Sequence, residues 1–254
     1  MCCFSQSVQY VQATNIFARS GADGRQWLVY SMEYQAKTDL SMVLPIPVKA
    51  GGGESAVEFI DLKDYEAFFS DLLSGFPMKK ESSGFGCVKS DTKSADSAPL
   101  RVVQVGNFEA SYVPTIKDFD RLDERFRLPP GSWDKLPGYR NFGFAVFKLK
   151  AGETKVHPMA LSFPRANPAE LFFPTVHIHD GLVHEQAFFD HVLYCQRDPA
   201  DRWRVTDWRE SQKLAKTFMQ TDSAKGIVTG EQHCFQLRMR GTLKNEDTIL
   251  RAKA

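Results

Sequence analysis

The sequence lacks the features that define several large classes of protein. Lys and Arg number 32 against 31 Asp and Glu, so the chain has no excess of positive charge of the kind that binds nucleic acid. No apolar run is long enough for a membrane helix, and the segment from Met1 to Gln6 lacks the charged start and apolar stretch of a secretory signal. We therefore expect a cytoplasmic protein with neither nucleic acid nor a membrane as its partner.

The chain also lacks a cysteine framework. Its five cysteines are odd in number and widely scattered, at Cys2, Cys3, Cys87, Cys195 and Cys234. In a reducing cytosol such a set favours free thiols over disulfides. A hydrophobic share of 43% and a charged share of 25% are typical of an ordinary globular protein, so the fold must rest on a packed core.

The order of the predicted elements favours an α+β fold made mostly of antiparallel sheet. Apolar residues recur with helical spacing at about 61–75, 115–126 and 208–219, which predicts about three amphipathic helices. Strand patterns fill most of the remaining chain without regular alternation with helices, which argues against a doubly wound fold. Pro45 and Pro47 predict that their strand lies at the edge of a sheet, because each proline removes a ladder donor.

A single globular domain over residues 1–254 accounts for the length, since single cores reach roughly 250 to 300 residues. It opens with a predicted hairpin of strands at 8–18 and 26–34, joined by a glycine turn at 21–24. Residues 79–99 hold few large apolar side chains and predict a loop or linker. If the domain has two parts, their boundary falls in that segment.

The dipeptide Asp180-Gly181 marks the most informative segment. Between two apolar runs it is typical of a tight hairpin turn. The register set by such a turn places His177, His179 and His184 on one face, with His177 directly opposite His184. Three imidazoles with an open coordination position are typical of a divalent metal site, so we predict metal binding there. The alternative is three polar side chains on the outer face of a sheet.

The second residue is a separate candidate. Removal of the initiator methionine is expected before a small residue and would leave the Cys2 thiol beside a free α-amino group. Amidohydrolases with an N-terminal nucleophile use that pairing, with the amine as the base for the attacking side chain. A soft metal could equally bind the same sulfur and amine, with Cys3 adjacent. The remaining alternative is a small residue with no role at a flexible terminus.

Several elements follow Cys2 in a fixed order. These are a strand from Ile16 to Arg19, a second strand, the run Leu44-Pro45-Ile46-Pro47, and a helix with the spacing of Tyr65 to Phe69. Over roughly the first 80 residues this arrangement resembles a family of bacterial proteins known only as a domain of unknown function. Secreted members of that family carry a signal peptide, which this sequence lacks. The resemblance implies that the cysteine end and the L-P-x-P strand form one module, and it implies no activity.

Three functions remain open at this point. The first is a metal-binding protein, or a metal-dependent enzyme of unknown reaction, with a divalent ion on His177, His179 and His184 and with Cys2 as nucleophile or additional ligand. The second is an N-terminal cysteine amidohydrolase without metal, acting on a small molecule or a peptide. The third is a non-catalytic binding module that uses its aromatic-rich surface.

Overall fold

The computed structural model describes residues 2–77, 102–106, 108–122, 124, 127–128, 131, 133–155, 157–178, 183–198 and 203–251. Within these ranges the protein consists mainly of β-strands, so the predicted α+β class with three amphipathic helices is wrong. The single α-helix of the described residues is α1 (Phe68–Ser74). None of the helices in these ranges has the length and apolar character needed to cross a membrane. The predicted boundary at 79–99 lies outside the described residues.

The other two predicted helices are replaced by shorter elements. At 115–126 the chain forms a 3-10 turn, Ile116–Arg121, and then returns to an extended conformation at Leu122, with ψ of 154°. At 208–219 it forms the short strand β14 (Arg209–Glu210) and a 3-10 turn, Ala215–Thr217. β14 pairs in antiparallel fashion with the strand Phe235–Lys244, which keeps this segment extended. The apolar spacing in both segments reflects burial against a sheet, since tertiary contacts override weak helix propensity.

The strands form two large sheets and a small one. Sheet A has the order β12 (His177–Ile178), β1 (Cys2–Phe4), β4 (Leu40–Ile46), β8 (Gly143–Leu149), β7 (Phe108–Val113), β6 (Val102–Val105). Sheet B has the order β14, β15 (Phe235–Lys244), β13 (Gln186–Gln196), β2 (Tyr10–Ser20), β3 (Arg25–Ala36), β10 (Met159–Pro164), β5 (Glu58–Asp61), with β9 (Gly152–Lys155) also paired to β3. The small sheet pairs β11 (Glu170–Phe173) with β16 (Thr248–Arg251).

Sheets A and B share an apolar core. Alternate residues point to opposite faces of a strand, so one set from each sheet meets in this core, including Tyr30 and Met32 of β3 and Met42 and Leu44 of β4. The core extends to β5, an edge strand of sheet B, where Phe59 meets Phe147 of the internal strand β8 edge to face with ring centroids 5.6 Å apart. Each fully buried side chain of this size stabilises the fold by about 1.5–3 kcal/mol.

The outer face of each sheet has its own cover. On sheet B, Phe17 and Tyr194 pack with Phe68 and Phe76, which α1 and the residues after it supply. On sheet A, a third apolar cluster joins strand residues to the 3-10 turns between β7 and β8, through Phe119, Leu122, Leu136, Tyr139, Phe144 and Val146. The cysteines whose side chains are described, at Cys3, Cys195 and Cys234, are buried and form no disulfide among themselves. The fold is therefore held by packing on three layers.

The strand that contains Pro45 lies inside sheet A, not at its edge, and Pro47 follows its last residue, Ile46. β4 pairs with β8 along its whole length and with β1 on its other side. The β1 register covers only Met42 and Val43, so Pro45 lies beyond the end of β1. A proline is tolerated there because, among the described strands, none on that side needs its missing donor.

Candidate functional site

The N-terminal strand brings the two predicted sites together. β1 pairs in parallel with β12, so that Cys2 lies opposite His177 and Cys3 opposite Ile178. Cys3 and Ile178 are both buried in the outer cluster of sheet A, and this burial sets the register. The backbones of Cys2 and His177 are therefore neighbours, although no local pattern in either segment predicts it.

Asn245 holds β12 in place. Its Oδ1 accepts the N–H of His177 at 2.7 Å, and its Nδ2 donates to the carbonyls of His177 at 2.9 Å and His184 at 3.0 Å. β12 pairs with β1 rather than with the start of β13. The observed arrangement thus differs from the predicted hairpin, because the Asn245 amide bridges the two histidine backbones. The turn residues Asp180-Gly181 lie outside the described part of the chain.

The side chain of His177 pairs with that of His191 on β13. Their Nε2 atoms are 3.0 Å apart and their ring centroids 4.5 Å apart. At this distance one nitrogen donates a proton and the other accepts it. Phe189 lies against both rings, with centroid distances of 4.6 Å to His177 and 5.2 Å to His191. Strand alternation predicts His191 on the face opposite His184, and only the contact between β12 and β13 reveals the pair.

Burial and Asp190 act in opposite directions on the pKa of His191. His191 is 3% exposed, and burial lowers its pKa despite the opposing effect of Asp190, whose Oδ1 lies 3.6 Å from His191 Nδ1. Burial by itself would raise the pKa of Asp190, but the neighbouring His191 ring and the N–H of Ala13 outweigh it and lower that pKa. At neutral pH a neutral His191 therefore lies beside an ionised Asp190.

A β-bulge supplies the hydrogen bond of Asp190. The register between β2 and β3 shifts between Gln12 and Asn15. Within the bulge Ala13 has φ of 52°, in the left-handed region that few residues other than glycine adopt. Its N–H donates to Asp190 Oδ2 at 2.7 Å. Bulges commonly redirect groups toward a site, and this one ties β2 to the histidine pair on β12 and β13.

The predicted metal ligands are only partly assembled. His177 is half-buried against His191, His184 is exposed, and His179 lies outside the described residues. In the described ranges no group of three or more His, Cys, Asp or Glu side chains could hold a metal ion. A metal on His177 Nε2 would replace the hydrogen bond to His191 and would meet His191 Nε2 as well, because the two atoms are 3.0 Å apart and zinc–nitrogen bonds are about 2.0–2.1 Å long. Metal binding by His177, His179 and His184 stays a prediction.

A second group of contacts fixes the chain just before residue 78. Arg209 donates to the carbonyls of Phe76 at 3.2 Å and Pro77 at 2.7 Å. The Phe76 ring packs against Tyr194 with centroids 5.8 Å apart. Just upstream, Phe68 of α1 meets Phe17 edge to face at 5.6 Å. This end is therefore anchored on the outer face of sheet B.

A third group of contacts fixes the chain just after residue 101. Among the described strands, β6 is at the edge of sheet A and pairs with β7 alone, through a turn at Gly106 with φ of 59°. A Cβ on Gly106 would lie 2.8 Å from His157 Nε2 and 3.0 Å from Asp61 Oδ1. His157 also stacks on Phe108 at a centroid distance of 4.1 Å, and burial lowers the pKa of its ring. The chain just after residue 101 is therefore held by the close-packed turn at Gly106.

Comparison with known proteins finds similarity in fold. No protein-family model matches the chain, and no curated protein does. The crystal structure of baculovirus P35 matches with a TM-score of 0.50 and 11% identity, over 96% of this chain and 97% of that chain. A mutated baculovirus P35 after caspase cleavage matches with a TM-score of 0.50 and 12% identity, over 94% and 99%. At such low identity the likeness is one of architecture, and it extends over nearly the full length of both chains.

Proposed function

We propose that this chain is a protein that an aspartate-specific cysteine protease of the caspase class binds and cuts within residues 78–101. The observation that carries the proposal is the fold, because one of the structures that share it is P35 after caspase cleavage. Three properties of this chain support the proposal. They are the sequence of that segment, the anchoring of its two ends, and the way the halves of the chain interlock.

The segment contains aspartates in the right chemical context. Asp91 is followed by Thr92, and Asp96 is followed by Ser97, so each aspartate precedes a small residue. A caspase-class enzyme attacks the carbonyl of an aspartate with its own cysteine thiolate, and a small following residue leaves room for that attack. The connection from α1 to β6 is also longer than about 12 to 15 residues, a length that few connections exceed, and such long connections are often functional.

The contacts at both ends favour binding of a protease. Arg209 holds the carbonyls of Phe76 and Pro77, and the Gly106 turn lies between His157 and Asp61. Fixed ends reduce the conformational entropy that a binding segment loses when a partner holds it. A rigid scaffold that supports a binding connection is a common arrangement in proteins.

A cut within residues 78–101 should leave the rest of the fold in place. In sheet A, β4 precedes the segment and pairs with β8, which follows it. In sheet B, β2 and β3 precede it and pair with β13 and β10, which follow it. The two fragments therefore share both sheets and the core between them. Cleavage removes one covalent link and exposes little of the core.

Incubation of the purified chain with a caspase-class protease tests the proposal. We expect two fragments whose intact masses place the cut after Asp91 or Asp96. Without denaturant, the two fragments should elute together from a sizing column. Asp91→Ala with Asp96→Ala should abolish the cut. Asp64→Ala, at an exposed position before α1, is the matched control and should be cut normally.

The opposite results would contradict the proposal. An uncut chain after prolonged incubation with enzyme that is active on a small peptide substrate would remove its basis. Equal cleavage of the double variant and the wild type would place the cut elsewhere. Separation of the fragments without denaturant would refute the interlocking of the two halves.

A further inference from the structure

β15 forms an open edge of sheet B. It pairs with β13 from Phe235 to Lys244, but β14 covers its other side only at Phe235 and Gln236. Beyond Gln236, no other strand of the described residues pairs with that side of β15. In an antiparallel strand, alternate residues direct their N–H and C=O groups away from the neighbouring strand. This edge therefore offers a row of backbone groups to an incoming strand.

One face of this edge is positively charged. Strand alternation places Arg238, Arg240 and Lys244 on the same face, and all three are exposed. Lys244 forms an ion pair with Glu246. Arg238 contacts Gln236 Oε1 at 3.4 Å. Within the described ranges, no carboxylate forms an ion pair with either arginine.

The nearest carboxylate on the neighbouring strand is held by other groups. Asp190 of β13 lies opposite Arg240 in the register. Its Oδ2 accepts the N–H of Ala13, and its Oδ1 faces His191. The bulge and the histidine pair thus direct this carboxylate into sheet B. The positive charge of the edge remains available to a partner.

The other face of β15 is apolar. Leu237 and Met239 are partly buried against the core that sheets A and B share. A strand added at this edge would therefore meet cations on one face and apolar side chains on the other. Because side chains alternate along a strand, the matching partner has carboxylates at every second position and apolar residues between them.

We propose that the open edge of β15 binds an extended acidic peptide segment, which adds a strand to sheet B and places alternate carboxylates beside Arg238 and Arg240. Backbone hydrogen bonds supply a large part of the affinity in this mode, and the side-chain pairs supply specificity. A second copy of this chain is a poor match, because two β15 edges would bring arginines together across the interface. This site is separate from residues 78–101, and its test does not involve a protease.

A synthetic peptide, TEVEVEVT with a fluorescein label, is the probe. We expect it to bind the full chain in fluorescence anisotropy, whereas TKVKVKVT does not. We also expect it to slow hydrogen exchange of backbone amides between Met239 and Leu243. A version of the acidic peptide with alternate N-methyl groups keeps its charge but loses the ladder donors, so it should not bind. Equal binding of the methylated peptide would refute strand addition.

Charge reversal tests the role of the arginines. In Arg238→Glu with Arg240→Glu, affinity for the acidic peptide should fall by about tenfold or more, since like charges then face each other. Lys63→Glu with Lys117→Glu makes the same net change at exposed positions elsewhere and should bind as the wild type does. Thermal unfolding establishes that both variants are folded. Equal losses in the two variants, or dimerisation through this edge in light scattering, would overturn the proposal.

Discussion

The two ends that flank residues 78–101 are held in different ways. Before the segment, α1 and Phe76 are buried in an aromatic cluster on sheet B, and Arg209 donates hydrogen bonds to the carbonyls of Phe76 and Pro77. After it, β6 is an edge strand with Val102 41% exposed, and its hold depends on the Gly106 turn beside His157. The first anchor is mainly an aromatic cluster on the outer face of sheet B, and the second combines the pairing of β6 with β7, the buried Val105 and a close-packed turn beside His157.

This difference predicts different responses to perturbation. Buried aromatic area resists changes of pH and salt, whereas a contact with a buried histidine is sensitive to protonation. The first end should therefore be damaged only by loss of packing. The second should respond to one added methyl group or to one added proton.

Removal of an aromatic ring from the first end should have the largest effect. Phe68 is fully buried and meets Phe17 and Tyr65, each at a centroid distance of 5.6 Å. Phe68→Ala should lower the free energy of unfolding by about 3–5 kcal/mol in denaturant titrations followed by circular dichroism. Phe188→Ala removes the same ring from a side chain that is 69% exposed and should change stability by less than about 0.5 kcal/mol. Equal effects would contradict the apolar anchor.

An added methyl group at the second end should have a smaller effect. In Gly106→Ala the new Cβ would lie 2.8 Å from His157 Nε2, so we expect a loss of about 1–3 kcal/mol. Gly24→Ala is the matched control, because Gly24 also has positive φ but no atom within 4 Å of a new Cβ. The Gly24→Ala variant should lose only the stability that glycine provides by adopting positive φ without strain, about 1 kcal/mol. If Gly24→Ala costs as much, the close packing of the turn has no role in stability.

Acidification should have the smallest effect, through His157. Burial lowers the pKa of His157 below its ordinary value of 6.5, so the unfolded chain binds a proton more readily than the folded protein does. Stability is then lost as the pH falls through about 6.5. His157→Phe keeps a ring against Phe108 and should lose less stability between about pH 7.5 and pH 5.5. His191 contributes with the same sign in both proteins, so an identical loss in the two would contradict a role for His157.

Local pattern predicted the strands well and the helices poorly. The predicted strands at 8–18 and 26–34 correspond to β2 and β3, which pair as the hairpin that the glycine turn indicates. Parts of both strands are buried on both faces, so it is their β-branched and aromatic residues, rather than alternation of burial, that specify them. The helical spacing at 115–126 and 208–219 was misleading, because short turns packed on a sheet can bury apolar residues with the same spacing.

In the candidate site, too, local pattern predicted some features and missed others. The Asp180-Gly181 pattern singled out His177, and the place of Cys2 after the initiator methionine singled out that residue. Their backbones are neighbours in sheet A. The partner of the His177 ring, His191, was assigned to the opposite face, and the roles of Asn245 and Ala13 carry no signal in the sequence. Each of these contacts joins segments that are distant along the chain.

The sequence by itself determined the first two long strands, where the hairpin between them turns, and that the chain relies on a packed core. The tertiary structure alone decided that β1 lies between β4 and β12, that β4 is internal despite Pro45, and that His177 meets His191. The physical reason is that alternation of burial is a local property of one strand. Pairing between distant strands depends on which faces can be buried together once the long connections between them are closed.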